Sequence, residues 1–259
     1  MKKLKKIFTP LETVDKSTMR KIGAAQLVAF LLAWTFLVPQ HSLIPNLGEV
    51  LRALSNYWGN GLFFQIIATL FLCSMATLVS IFFSSLMAYA STIPFFKPPV
   101  SLLGTLRYNP IQGFTVILTV MTGGGRWLQI LILSIFMSFY FITGLVSIIN
   151  DIPEGSFNRV RAMRMNGWKI LWKVVIVDHL DFLIEVIRLN LSMTFMMIVS
   201  VEAMDKSQGG LGAMLTDTSR GMNFPNVFAI QAVILLLGLV IDWALRLLFN
   251  SFPAHKKNC

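Results

Sequence analysis

Four charged residues stand together in an otherwise apolar stretch. Asp178, Asp181, Glu185 and Arg188 are separated by three, four and three residues, so on a helix they share one face. In lipid each such charge costs about 2.5–3.5 kcal/mol on insertion scales, which drives it toward protein or water and often marks a pathway. Asp178 and Asp181 come early enough to reach the membrane interface. Glu185 and Arg188 lie deeper and can pair across three residues. The group could serve as a proton relay or, as such groups more often do, as a salt bridge between packed helices. Other chemistry finds no constellation. His179 and Asp181 are two apart and do not face each other, His41 and His255 lie far off, and Cys73 and Cys259 form no cluster. Gly123-Gly124-Gly125 is followed by no Lys-Ser/Thr and is not a phosphate cradle. No nucleotide motif occurs, so any ATP would be bound by another subunit. The chain is expected to hold no metal or cofactor and not to be an enzyme.

The elements that would position these charges are set by composition. Of 259 residues, 55% are apolar and 13% charged, and the mean hydropathy is +0.69. A soluble domain carries roughly a quarter charged residues, so an ordinary cytosolic enzyme is excluded and lipid is the solvent implied. The apolar runs predict six spanning helices, at about 21–39, 62–90, 100–122, 127–149, 174–203 and 225–249. With the N-terminus placed in the cytoplasm, 17 of the 22 basic residues fall on inner segments and four (Arg52, Arg126, Lys206, Arg220) on outer ones. That asymmetry follows every alternation and predicts both termini inside. It also assigns the net charge of +10 to topology, not to a nucleic-acid-binding face. Val38-Pro39-Gln40 lacks a small-x-small cleavage pattern, so the first helix reads as a retained anchor. Residues 1–60 then form a basic tail, a first span and an outer segment, ahead of a five-span core at 61–259.

Two loops stand out. The outer segment Pro45–Gly61 has Leu47, Val50, Leu51, Leu54 and Trp58 at helical spacing, so it is either a short interfacial helix or a connector. The inner segment 150–173 carries Arg159, Arg161, Arg164, Lys169 and Lys173, with Phe157, Val160, Met163, Met165 and Trp168 between them. Asp151-Ile152-Pro153-Glu154 signals a helix start ahead of it. Physics alone leaves two readings of this loop open: a basic helix on the lipid surface, or a docking element for a cytoplasmic partner.

Here the residues become familiar. The stretch NRVRAMRMNGWKILWKVVI at 158–176 resembles the EAA loop of ABC importer permeases, of the branch that includes nitrate, sulfonate and taurine systems. Arg161, Trp168, Lys173, Val174 and Val175 match its pattern without a gap. Leu106-Arg107-Tyr108-Asn109-Pro110, Thr69-Leu70, Val186-Ile187-Arg188, Val201-Glu202-Ala203 and Gly210-Leu211-Gly212 are similar to further family segments in the same order. The loop departs from the pattern at Asn158 (glutamate in the family), Arg159 and Val160 (alanines), Arg164 (glycine) and Val177 (proline). The resemblance implies an all-α, type I importer-like permease in a bacterial plasma membrane. Its partners would be two ATPase subunits binding ATP and Mg, a second permease and an extracytoplasmic solute-binding protein. It implies ATPase coupling through Asn158, Arg159, Arg161, Met163, Arg164, Gly167 and Trp168. It also implies a solute path near Arg188, Ser192, Thr194, Ser200 and Glu202, with Gly209, Gly210 and Gly212 at an outer mouth. The degenerate loop leaves one alternative, a non-transporting scaffold or sensor derived from such a permease.

Overall fold

The computed structural model describes residues 15–37, 44–59, 61–162, 166–170, 172–174 and 180–250, and among these every regular element is helical. In chain order they are α1 (Lys16–Leu37), α2 (Leu47–Gly59), α3 (Leu62–Ala90), α4 (Lys97–Thr105), α5 (Ile111–Thr122) and α6 (Arg126–Asp151). There follow α7 (Glu154–Ala162), α8 (Gly167–Ile170), α9 (Leu180–Met204), α10 (Leu211–Arg220) and α11 (Phe224–Asn250). Among the described residues three helices are long and apolar enough to cross a membrane: α3, α6 and the Phe224–Leu247 part of α11. A fourth, α9, qualifies as a pair of segments, Ile184–Leu191 and Met193–Met204, bent by about 40°. Around this bend the Asn190 amide donates to the Val186 carbonyl and the Thr194 hydroxyl to the Asn190 carbonyl. Side-chain bonds of this kind compete with the backbone ladder and bend helices.

One expected element is corrected. The single helix at 100–122 is instead α4, a short 3-10 turn at Leu106–Tyr108, and the separate α5. Pro110 explains the break: it has no N–H to give and it disfavours helical backbone at the residue before it, where Asn109 is extended with ψ 138°. Neither α4 nor α5 reaches the roughly 20 residues of a span.

The centre of the molecule is α6. Of its apolar stretch 56% is buried, against 28% for α3 and 17% for α11. Leu128, Ile132, Leu133, Phe136, Met137 and Phe141 of α6 meet Leu72, Cys73 and Ala76 of α3 and Ile198 and Val201 of α9. In lipid, apolar attraction between helices gains little, so close backbone approach through small residues carries the packing. α3 supplies them at every fourth position: Ala76, Ser80, Ser84 and Ala88 are all buried. Ser80 Oγ reaches across to the Ser134 carbonyl of α6 at 3.1 Å. The opposite face of α3 leaves Phe71, Leu78, Phe82 and Leu86 exposed, as a helix bordering hydrocarbon does.

The outer segment is the short helix α2. Asn46 caps it in a reciprocal box, its side chain accepting from Gly48 N while its own N–H donates to Glu49 Oε2. Val50 and Ala53 bury against Ala229 of α11, with Leu54 and Phe228 alongside. It is thus a packed element of the outer end. The two ends of the bundle gather different residues. Arg126, Lys206 and Gln208 meet at one end, and Lys97, Glu154 and Gly167 line a common cavity at the other.

Candidate functional site

The end of the bundle that the charge pattern assigns to the outside is built around Glu202. This carboxylate, near the C-terminus of α9, is completely buried. Its Oε2 accepts from Thr69 Oγ1 of α3 at 3.0 Å and from the backbone N–H of Gly212 in α10 at 2.9 Å. Thr69 in turn accepts from Leu211 N at 2.9 Å, and Gln65, one turn earlier on α3, accepts from Gly210 N at 2.6 Å. The first turn of α10 thus presents its unpaired N–H groups to side chains of two neighbouring helices, which an acidic residue satisfies well. Glu202 Oε1 is buried with no hydrogen-bond partner among the described residues. Gly209 and Gly210, at φ +70° and +107°, make the left-handed turn that feeds α10. Side-chain carbons at Gly210 and Gly212 would strike the Glu202 carboxylate and the Val199 carbonyl, respectively.

A second set of contacts ties this turn to α6. Asp205 Oδ2 accepts from Gly125 N at 2.9 Å and its carbonyl from Gln129 Nε2 at 2.7 Å, while Arg126 donates to the Gln208 carbonyl at 3.2 Å. Lys206 pairs with Asp217 at the rim. Gly209, Gly210, Gly212 and Glu202 are therefore brought together in one buried seat. Gln65, Gln129 and Asp205 were missed. Their sequence signal is faint: Gln65 and Thr69 are the polar pair, four apart, that interrupts the apolar start of α3.

Toward the inner end, a groove of about 610 Å³ runs between α9 and α11, with Phe195, Met196, Val199, Ile234 and Leu235 on its apolar walls. Arg188, Asp242 and Arg246 line one part of it, and Ser200 and Gln231 are further polar lining residues. Arg188 forks onto Glu185, with Nε to Oε2 at 2.9 Å, and faces Asp242 of α11 at 3.5 Å. Asp242 also takes Arg246 at 2.9 Å. Two acids and two bases alternate and cancel, so the deep charges are neutralised within the protein. The Arg188–Asp242 contact is a salt bridge between α9 and α11. Asp242 and Arg246, four apart with opposite sign, were legible as a pair but were not connected to Arg188.

Of the residues assigned to a path, Arg188 and Ser200 line this groove. Thr194 is buried and bonded to its own helix, and Glu202 belongs to the outer seat. Ser192 lies at the bend, and its side chain, like those of Arg161 and Asp181, is outside the described set. A double-mutant cycle on Arg188→Met and Asp242→Asn is expected to give a coupling of about 0.6–1.7 kcal/mol in detergent unfolding, the range of polar pairs between membrane helices. Additive effects would mean that the two helices are not linked through this pair.

The inner loop folds as α7, then α8. Asn158 and Arg159 of α7 and Gly167 and Trp168 of α8 are exposed. Met163, Arg164, Val177, Asp178 and His179 lie outside the described residues.

No family model matches the chain. Over 183 residues, covering 71% of this chain and 68% of the relative, it is 25% identical to a provisionally named ABC transporter permease protein of Methanocaldococcus jannaschii. The chain is a distant homologue of that permease. Its apolar helices and this likeness support a multi-pass membrane protein.

Proposed function

We propose that the chain is the membrane-spanning subunit of an ATP-driven ABC importer, set in a bacterial plasma membrane with six spans and both termini in the cytoplasm. α1 and the α4–α5 pair would complete the six. A second permease subunit, identical or different, would close the solute path with it, and a binding protein outside would deliver the solute. Two cytoplasmic ATPases would bind ATP and Mg, and this chain would hold neither.

The observation that carries the reading is the inner loop. α7 and α8 project at one end of the bundle and present Asn158 and Arg159 outward, in a chain whose distant relative bears an ABC permease name. Driving such a dimer between inward and outward states needs a differential of a few kcal/mol, which ATP binding by a docked partner would supply. Arg161, Met163, Arg164, Gly167 and Trp168 belong to the same loop. The groove beside Arg188 and Ser200 is the best candidate for part of the path.

The test is reconstitution in vesicles with the partner ATPase. ATP-dependent solute uptake, lost on charge reversal at Arg159 and Arg161 together with ATPase co-purification, is the expected result. The departures at Asn158 and Arg164 favour a second reading, a non-transporting scaffold or sensor. Retained ATPase binding with no uptake of any solute would select it.

A further inference from the structure

The end of the inner loop repeats every four residues. Ile170 and Val174 pack inward, with Val174 only 1% exposed, in a cluster with Ala88, Leu145, Ile149 and Ile152. Trp168 and Trp172 point outward, 70% and 63% exposed, and Lys169 and Lys173 are exposed beside them. The inward anchors fix the depth. Ala88 lies two residues from the end of α3 and Ile149 two from the end of α6, so the two tryptophans stand beside the ends of both spanning helices. Across a shared cavity of about 810 Å³ lies the turn after α3, where Phe95 is 80% and Phe96 43% exposed and Lys97 follows. Three lysines and four aromatic rings therefore share one level at one end of the bundle, with Glu154 the acid among the cavity's lining.

We infer that the Trp168–Lys173 segment, with Phe95, Phe96 and Lys97, seats the protein on an anionic lipid surface. This rests on the membrane reading of the chain and divides its inner loop in two: α7 faces the cytoplasm, and the segment that follows faces lipid. Indole rings partition to the headgroup level, and lysines there reach up to lipid phosphates. The composition favours lipid over a protein occupant, because the cations are all lysine, the residue depleted from the buried parts of protein interfaces, where arginine is enriched. Anionic headgroups also complement the positive charge directly.

The full chain, reconstituted without ATPase or solute, provides the test. Tryptophan fluorescence is quenched with shallowly brominated phosphatidylglycerol or phosphatidylcholine at equal bulk fraction. Quenching is expected to fall when Trp168 and Trp172 are both changed to Phe. The preference for phosphatidylglycerol is expected to fall about fivefold for each of Lys169→Gln and Lys173→Gln, and to return with Arg at both positions. Unchanged quenching in the Phe variant, or no headgroup preference in the native chain, overturns the inference while leaving the permease reading untouched. Loss of quenching only when the ATPase is added would give this surface to the partner, and would overturn it as well.

Discussion

Gly212→Ala is expected to destabilise the protein by about 3 kcal/mol, seen as a lower unfolding midpoint in detergent and a reduced yield of folded protein. The new methyl would strike the Val199 carbonyl of α9 and come within 2.8 Å of Glu202 Cβ. A helix backbone cannot step aside as a flexible side chain can, so α10 itself must move. Overpacking of this kind costs about 1–3 kcal/mol, and displacing α10 also breaks the 2.9 Å bond from Gly212 N to Glu202. Gly113→Ala in α5 and Gly155→Ala in α7 are the controls. Nothing lies within 4 Å of either new methyl, so both are expected to be neutral or stabilising by up to about 1 kcal/mol.

Glu202→Ala is the second large effect, again about 3 kcal/mol. It strands the Gly212 N–H and the Thr69 hydroxyl in a dry site, and each buried group left unpaired costs about 1–3 kcal/mol. Glu202→Gln is expected to recover most of the loss. A single oxygen of Glu202 accepts both bonds, and the amide oxygen can take its place. Equal damage from Ala and Gln would show that the negative charge, not the acceptor, holds α10 in position.

The bundle was legible wherever apolar length alone decides. The α3 span matches its expected bounds and the α6 and α11 spans fall within two residues of theirs, because a run of twenty-odd apolar residues has no other stable fate in lipid. The 100–122 segment was misread for a physical reason. Hydropathy averages over a window and is blind to one missing N–H, so Pro110 divides a run that by composition is continuous. At the outer site, Glu202 and the three glycines were marked by residue type and order. Their partners were not, since Gln65 lies 145 positions from Gly210 and Gln129 lies 76 from Asp205. Only tertiary packing brings such pairs together. The Glu185–Arg188 bond, three residues apart, was readable from spacing; its extension to Asp242 needed α11 to be laid beside α9.

The outer seat has a mechanical consequence. Glu202, Thr69 and Gln65 bolt α3, α9 and α10 together, and Asp205 with Gln129 and Arg126 adds α6 to the same block. α9 and α11 meet through a buried cluster, Phe195 against Ile230, Val233 and Ile234, beside an open groove crossed on its inner side by the Arg188–Asp242 contact. One side of the molecule is thus joined by directional hydrogen bonds, whose lengths and angles fix register, and the other by apolar contacts that tolerate sliding. Were the bundle to alternate between two shapes, the hydrogen-bonded block would move as one piece and the α9–α11 face would take up the difference.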